Sequence, residues 1–180
     1  DVGTAIVADP DRNVVVALSY QHELIIEEGT VFAGAGLNFN VGLVRLDKDG
    51  AVVWANEFGG TGAEELIGLG LDEKSNTYVT GVFSETATFG GADLVSGGGH
   101  DIVLASYGAD GSHLWSRAFS GPSFDQALDL EVQGDGVYLT GRFKEGLDFG
   151  STSFTSTANG YDVFVGHFAT KDGEPVWVHA

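Results

Sequence analysis

Two segments place oxygen-bearing side chains at alternate positions, Asp9-Pro10-Asp11-Arg12-Asn13 and Asp47-Lys48-Asp49-Gly50. A calcium loop uses such spacing because a hard cation gathers six or more oxygens from a short stretch of backbone. A loop of the twelve-residue kind also closes with a bidentate glutamate, and neither segment has one at the required distance. Asp, Asn and Gly are equally what tight turns demand, since they bond their own backbone and accept positive φ. Turns are therefore expected here, not metal sites. Five histidines, His22, His100, His113, His167 and His179, fall far apart in the chain. A zinc site needs several to converge, and nothing in their spacing brings them together. His113, His167 and His179 are expected within strands, on sheet surfaces. His100 ends a long connection beside Asp101. That carboxylate recurs as Asp162 and, at a strand start, is expected to accept backbone N–H groups.

Nucleophilic catalysis finds little support. Cysteine is absent, which excludes disulfides and thiolate metal sites, and no serine sits in a Gly-x-Ser-x-Gly elbow. The glycine runs Gly59-Gly60-Thr61-Gly62 and Gly97-Gly98-Gly99 precede no helical pattern, so they make poor phosphate cradles. The acid pairs Glu27-Glu28 and Glu64-Glu65 are sequence neighbours, which on a strand face opposite ways. No catalytic, cofactor-binding or metal-ligating residue is assigned on these grounds, and no cofactor is expected. An enzyme using acidic residues in a central channel is the one catalytic alternative.

The elements that would position these groups follow from repetition. Trp54, Trp115 and Trp177 recur at spacings of 61 and 62 residues, each in or near the phrase Asp-Gly-x-x-x-Trp. Tyr78-Val79-Thr80-Gly81-Val82-Phe83 answers Tyr138-Leu139-Thr140-Gly141-Arg142-Phe143, and Phe89-Gly90 answers Phe149-Gly150. Indole rings can serve as sugar-stacking platforms, but strict periodicity points to packing between units. Within the middle unit, 66–72 alternates apolar and small residues, 77–83 is rich in β-branched and aromatic ones, 102–107 is a continuous apolar run, and 113–119 alternates again. All four read as strands. The long connection 84–100 keeps an apolar pair, Phe89 and Leu94, matched by Ile26 with Val31 and by Phe149 with Phe154. It is expected to be a small tucked-in hairpin. Asp47-Lys48-Asp49-Gly50, Gly108-Ala109-Asp110-Gly111 and Thr170-Lys171-Asp172-Gly173 are the turns before the fourth strands. The fold class is thus all-β, with four antiparallel strands per unit. A solenoid is the competing repeat architecture, but its coils are usually much shorter.

Composition sets the partners. With 43% apolar residues the 180-residue chain can build a core. Twenty-six acidic groups against eight basic ones give a formal charge of −18, which repels phosphate backbones and anionic lipid surfaces. Neither a nucleic acid nor a membrane partner is expected. Methionine is absent, and no apolar run approaches a membrane span; the chain reads as a processed or excised segment of something longer, or as a redesigned one.

At this level of detail the chain resembles the bacterial repeat family known as the seven-bladed β-propeller repeat. The residues that carry the likeness are Phe58-Gly59-Gly60, Asp72, Tyr78-Val79-Thr80-Gly81, Gly98-Gly99-His100-Asp101 and Asp110-Gly111 through Trp115. The first unit departs from the pattern, with Leu18 where Gly81 stands and Asn40 where Asp101 stands. The resemblance implies a propeller segment of three four-stranded blades (residues 1–58, 59–119 and 120–180). It also implies a secreted or extracytoplasmic bacterial scaffold or binding module, with a glycan, protein or cation as possible ligand.

Asp1 aligns with Glu64 and Asp125, and Ala180 with Ala118, so three whole blades are expected, lacking one connector. Three blades cannot close a ring that ordinarily needs four to eight. Self-association is expected, two copies giving six blades being favoured over three copies giving nine. The Val14-Val15-Val16 sheet and the Val163-Phe164-Val165 sheet would be bare at the two ends, which makes Phe164 the expected contact residue. Because the Asp-rich segments read as turns, a chelator is expected to leave the melting temperature unchanged. A fall of many degrees would instead single out Asp9, Asp11 and Asp49.

Overall fold

A computed structural model of the chain describes residues 2–27, 30–33, 39–157 and 160–180, and among them every regular element is a β-strand. The first unit contributes β1 (Val2–Ala8), β2 (Val14–Tyr20), the short β3 (Leu24–Glu27) and β4 (Thr30–Phe32), then β5 (Asn40–Leu46) and β6 (Val52–Gly60). The second repeats the series as β7 (Glu64–Leu71), β8 (Thr77–Phe83), β9 (Thr86–Thr88), β10 (Leu94–Val95), β11 (Asp101–Tyr107) and β12 (His113–Phe119). The third gives β13 (Gln126–Gln133), β14 (Gly136–Lys144), β15 (Gly146–Asp148), β16 (Ser153–Thr155), β17 (Tyr161–Ala169) and β18 (Pro175–His179). The long strands of each unit form an antiparallel meander, in the orders β1-β2-β5-β6, β7-β8-β11-β12 and β13-β14-β17-β18.

Even the irregularities repeat. The register slips once in each unit's first strand, between Gly3 and Ala5, Leu66 and Gly68, and Ala127 and Asp129. It slips again beside the last turn, at Arg45/Leu46, Ser106/Tyr107 and His167/Phe168. A bulge twists and bends its strand, so three copies of the same bulges give three sheets of one shape. Gly50, Gly111 and Gly173 supply the left-handed residue in the turns that follow, with φ of 89°, 81° and 69°.

The sheets are not three separate four-stranded blocks, as the sequence predicts. The first has six strands, because β6 runs on to Gly60 and there pairs with β9, Gly59 opposite Thr88 and Gly60 opposite Ala87, bringing β10 with it. The tucked hairpin of one unit thereby extends the sheet of the unit before it. A lone bridge from Ser120 to Asp148 is the same docking made by the β15–β16 hairpin onto the end of β12. Gly60 and Gly121 permit it, since any Cβ there would overlap the backbone of Thr86 or Gly146.

Two apolar layers lie between the three sheets. One joins Val15, Ala17, Leu43 and Phe58 to Leu66, Val79, Phe83 and Phe89; the other joins Tyr78, Ile102 and Leu104 to Leu139, Phe143, Phe149 and Phe164. The middle sheet is covered on both faces, and every residue of β8 and β11 is buried. Each junction is closed at its rim by a tryptophan. The Trp54 indole N–H donates to the Ala109 carbonyl (3.0 Å) and that of Trp115 to the Thr170 carbonyl (2.9 Å). Each ring lies against the turn glycine of the next unit, close enough that a Cβ on Gly111 or Gly173 would meet it at 2.8 or 2.5 Å.

The outer faces correct one expectation. Phe164 is 2% exposed and packs on Phe149, with centroids 5.3 Å apart, toward the middle sheet. Its neighbours Val163 (73% exposed) and Val165 occupy the bare face, because successive strand residues point opposite ways. On the first sheet Val15 faces inward and Val14 and Val16 are half-buried. Its outer face is partly covered by its own hairpin, where Phe32 stacks on Tyr20 at 5.4 Å.

Truncating Trp115 to alanine leaves a cavity at an inter-unit layer and is expected to cost about 3 kcal/mol of stability in urea denaturation. Trp177→Ala, at an exposed ring, is expected to cost less than about 1 kcal/mol in the single chain. Equal losses would contradict the role of these rings as junction seals.

Candidate functional site

The first residues of β7 and β13 are held by their connectors. Ahead of β7, Thr61 N–H donates to the Thr86 carbonyl (2.9 Å), Ala63 N–H to the Ser84 hydroxyl (2.9 Å) and Ser84 N–H to the Ala63 carbonyl (3.1 Å). Ahead of β13, Gly99 N–H donates to the Ser123 carbonyl and Asp125 N–H to that of His100, at 2.8 and 2.7 Å. These bonds fix the starts of β7 and β13, which with the start of β1 surround one cavity of about 290 Å3, with Val2, Phe39, Glu64, His100, Phe124 and Gln126 in its wall. The size is at the lower end for small-molecule sites.

Glu64 is 2% exposed, and neither carboxylate oxygen has a hydrogen-bond partner. Burial pushes its carboxyl up to about 7; the Gly60 backbone, outside hydrogen-bond geometry, offsets part of this, and the Glu85 carboxylate adds to it. Asp125 is the equivalent residue one unit on. It is fully buried and is also pushed up to about 7, by burial and then by the Asp101 carboxylate beside it, against the pull of the Lys144 N–H it accepts at 3.1 Å. Asp101 itself accepts the backbone N–H groups of Gly97 (2.6 Å) and Gly121 (2.9 Å). It thus ties the end of one unit's long connection to the connector leading into the next.

His100 lines the cavity with its ring 5.2 Å from that of Phe124. Arg142 lies 4.6 Å from the Tyr161 ring centroid and 5.9 Å from that of Phe124, and donates to the Gln126 side chain at 3.0 Å. This guanidinium is held by two rings and an amide.

The other sequence candidates do not join this site. Asp9 accepts the backbone and side-chain N–H groups of Asn13, both at 2.9 Å, and Asp72 makes the same pair of bonds with Asn76 at 2.9 and 2.8 Å. Burial raises the Asp9 carboxyl, but those bonds and the Arg45 guanidinium paired with it bring it below its ordinary value. Asp47 accepts from Asp49 and Ala51 N–H, each at 2.9 Å. These are turn clamps, as the residue types predict. Among the described residues, no three His, Asp or Glu side chains gather as metal ligands would. His113 and His167 lie within strands, as expected. Both are half-buried with Nε2 enclosed and unpartnered, His113 against Gly90 and Gly91, and His167 stacked 4.7 Å from Tyr138. Glu64 is buried and Glu65 exposed, and both reach the cavity wall. Asp1 and Glu28 lie outside the described residues, as does the Glu27 side chain. Sequence reasoning missed the site's chief feature, the buried carboxyl opening β7 and β13. The signal was an acid at the same point of each unit.

No protein-family model matches the chain. Among curated proteins it is similar to an uncharacterized WD repeat-containing protein of Acanthamoeba polyphaga mimivirus, 24% identical over 156 residues, a match spanning 78% of this chain but 11% of that protein. WD repeats build β-propellers with four strands to a blade, so the likeness bears on repeat architecture. The tryptophans here are followed by Ala55, Ser116 and Val178 in place of the aspartate of that repeat.

Raised carboxyls carry a pH signature. A group whose pKa is higher in the fold than in the unfolded chain binds its proton more tightly when folded. Stability is then greatest below pH ~4, falls as pH rises toward 7, and levels above it, by up to about 1.4 kcal/mol per pH unit for each group. Asp9, with its lowered carboxyl, acts in the opposite sense and at more acid pH. Asp125→Asn is expected to flatten the decline between pH 5 and 7 in thermal melts; an unchanged slope would show that Asp125 is not the buried acid responsible.

Proposed function

We propose that the chain is a three-bladed arc of a β-propeller, with blades at residues 1–58, 59–119 and 120–180. It acts as a non-enzymatic scaffold or binding module and completes its ring by pairing with a second copy. The meander order of each unit and the distant likeness to a WD repeat protein support the propeller reading. The observation that carries self-association is an interface made twice and left unmade once. Trp54 covers the Gly111 turn and Trp115 the Gly173 turn, whereas Trp177 is 39% exposed and a Cβ on Gly50 would meet nothing within 4 Å. Asn56 and Arg117, two residues beyond those rings, each donate to a carbonyl in the same next turn; His179 holds their place and is exposed. The bare knob and the bare socket stand on opposite ends of the arc. In a two-fold ring each copy's Trp177 seats on the other's Gly50 turn, and Val163 and Val165 cover the outer face of the first sheet. Val53, Leu114 and Val176 are exposed alike in all three units, which marks them as the ordinary rim and not the joint.

The non-enzymatic reading is supported by the use to which two of the buried acids are put. Asp101 and Asp125 are closed off from solvent and engaged with backbone N–H groups. An extracytoplasmic bacterial setting belongs to the same proposal, as does the absence of nucleic-acid and membrane partners, which the charge of −18 supports.

Light scattering is expected to give about twice the chain mass of 18.8 kDa. Val163→Asp and Trp177→Ala should each lower that mass toward a single chain while circular dichroism stays β-rich, and Phe164→Asp should unfold the third unit. Three chain masses would replace six blades with nine. A folded, stable monomer of the native sequence would overturn the ring.

A further inference from the structure

The cavity at the starts of β1, β7 and β13 has one feature that packing does not explain. Glu64 is enclosed, yet both of its oxygens lack a donor. Burial lets this carboxyl hold its proton up to about pH 7; above that it is ionised, able to accept up to four hydrogen bonds, and costly to leave buried and bare. At the equivalent place in the next unit the fold supplies one oxygen of Asp125 with a donor, the Lys144 N–H, and leaves only the other bare; at Glu64 both are bare and the cavity lies beside them. The rest of the wall is largely apolar, with Val2, Val82 and the Phe39 and Phe124 rings. Glu65 lines the cavity too, and the Glu85 carboxylate deepens the negative field at Glu64. Of the nearby cations, Arg142 is engaged by Gln126, Tyr161 and Phe124, which leaves His100 as the basic group in the wall.

We propose that this cavity binds a small organic ammonium ion, its N–H groups donating to the Glu64 carboxylate and its apolar body lying between the Phe39 and Phe124 rings. The carboxylate supplies charge and acceptors, and the aromatic walls hold the cationic end by cation–π attraction. A neutral, hydroxyl-rich ligand would satisfy the oxygens but leave the buried charge uncompensated. The site rests on the binding-module reading and not on ring closure, since its residues come from all three units of one chain.

Calorimetric titration of the native chain at pH 8, where Glu64 is ionised, with cyclohexylammonium, cyclohexanol and methyl glucoside tests this. Cyclohexylammonium should bind, and its neutral isostere and the glucoside should not. Glu64→Gln should weaken the amine at least about tenfold, a difference of about 1.4 kcal/mol, while Glu174→Gln, at an exposed acid remote from the cavity, should leave it unchanged. Phe39 is exposed, so Phe39→Ala keeps the fold and should weaken the amine as well. Equal binding of amine and alcohol, preference for the glucoside, retention of affinity in Glu64→Gln or no binding at millimolar amine would each overturn the site. Light scattering on the same samples separates this outcome from failure of the ring.

Discussion

Strand β11 is apolar from Ile102 to Ala105 and buried along its whole length, a state open to a strand only when a sheet lies on each side of it. That double covering is the constraint from which the rest of the fold follows. It requires units of matched shape, and the repeated bulges provide them. It requires close approach of backbones at the junctions, which Gly60 and Gly121 allow by having no Cβ to obstruct the chain beside them. It also means that a unit placed at either end is only half satisfied. The middle unit shows what the fold wants, and the outer two show what it lacks.

Much of this was legible in the residues. Period-two alternation and the repeated Tyr-x-Thr-Gly segments located the long strands, and the Asp-Gly turns located the hairpins between them, because both signals are local and depend on a few side chains. The role of the tryptophans was legible for a different reason: only inter-unit packing demands strict periodicity. The docking of β9 onto β6 was not, since a two-residue ladder is made of backbone and leaves only a glycine as its mark. Nor was the direction of Phe164, where an error of one position in a strand reverses the face.

The site was harder to read than the fold. Turn acids such as Asp9, Asp47 and Asp72 declare themselves through their neighbours, because their partners lie within a few residues. Glu64 and Asp125 have environments built from more than one unit, so nothing beside them in the chain reveals burial. Repeat equivalence was the clue, yet it also disguised the difference between them. The same position is filled by a carboxyl with a backbone donor in one unit and by a carboxyl facing a cavity in another.

The hairpin that crosses from one unit to its predecessor has a bearing on how the chain is made. The ladder at the end of β6 is completed by Thr86–Thr88, residues synthesised well after the first unit's own strands. A nascent chain emerging N-terminus first therefore holds an unfinished sheet until much of the second unit has appeared, and the second waits on the third through Ser120 and Asp148. Units that could otherwise fold one by one are linked in time. Maturation of the chain is then a relay in which each unit finishes the sheet of the one before it.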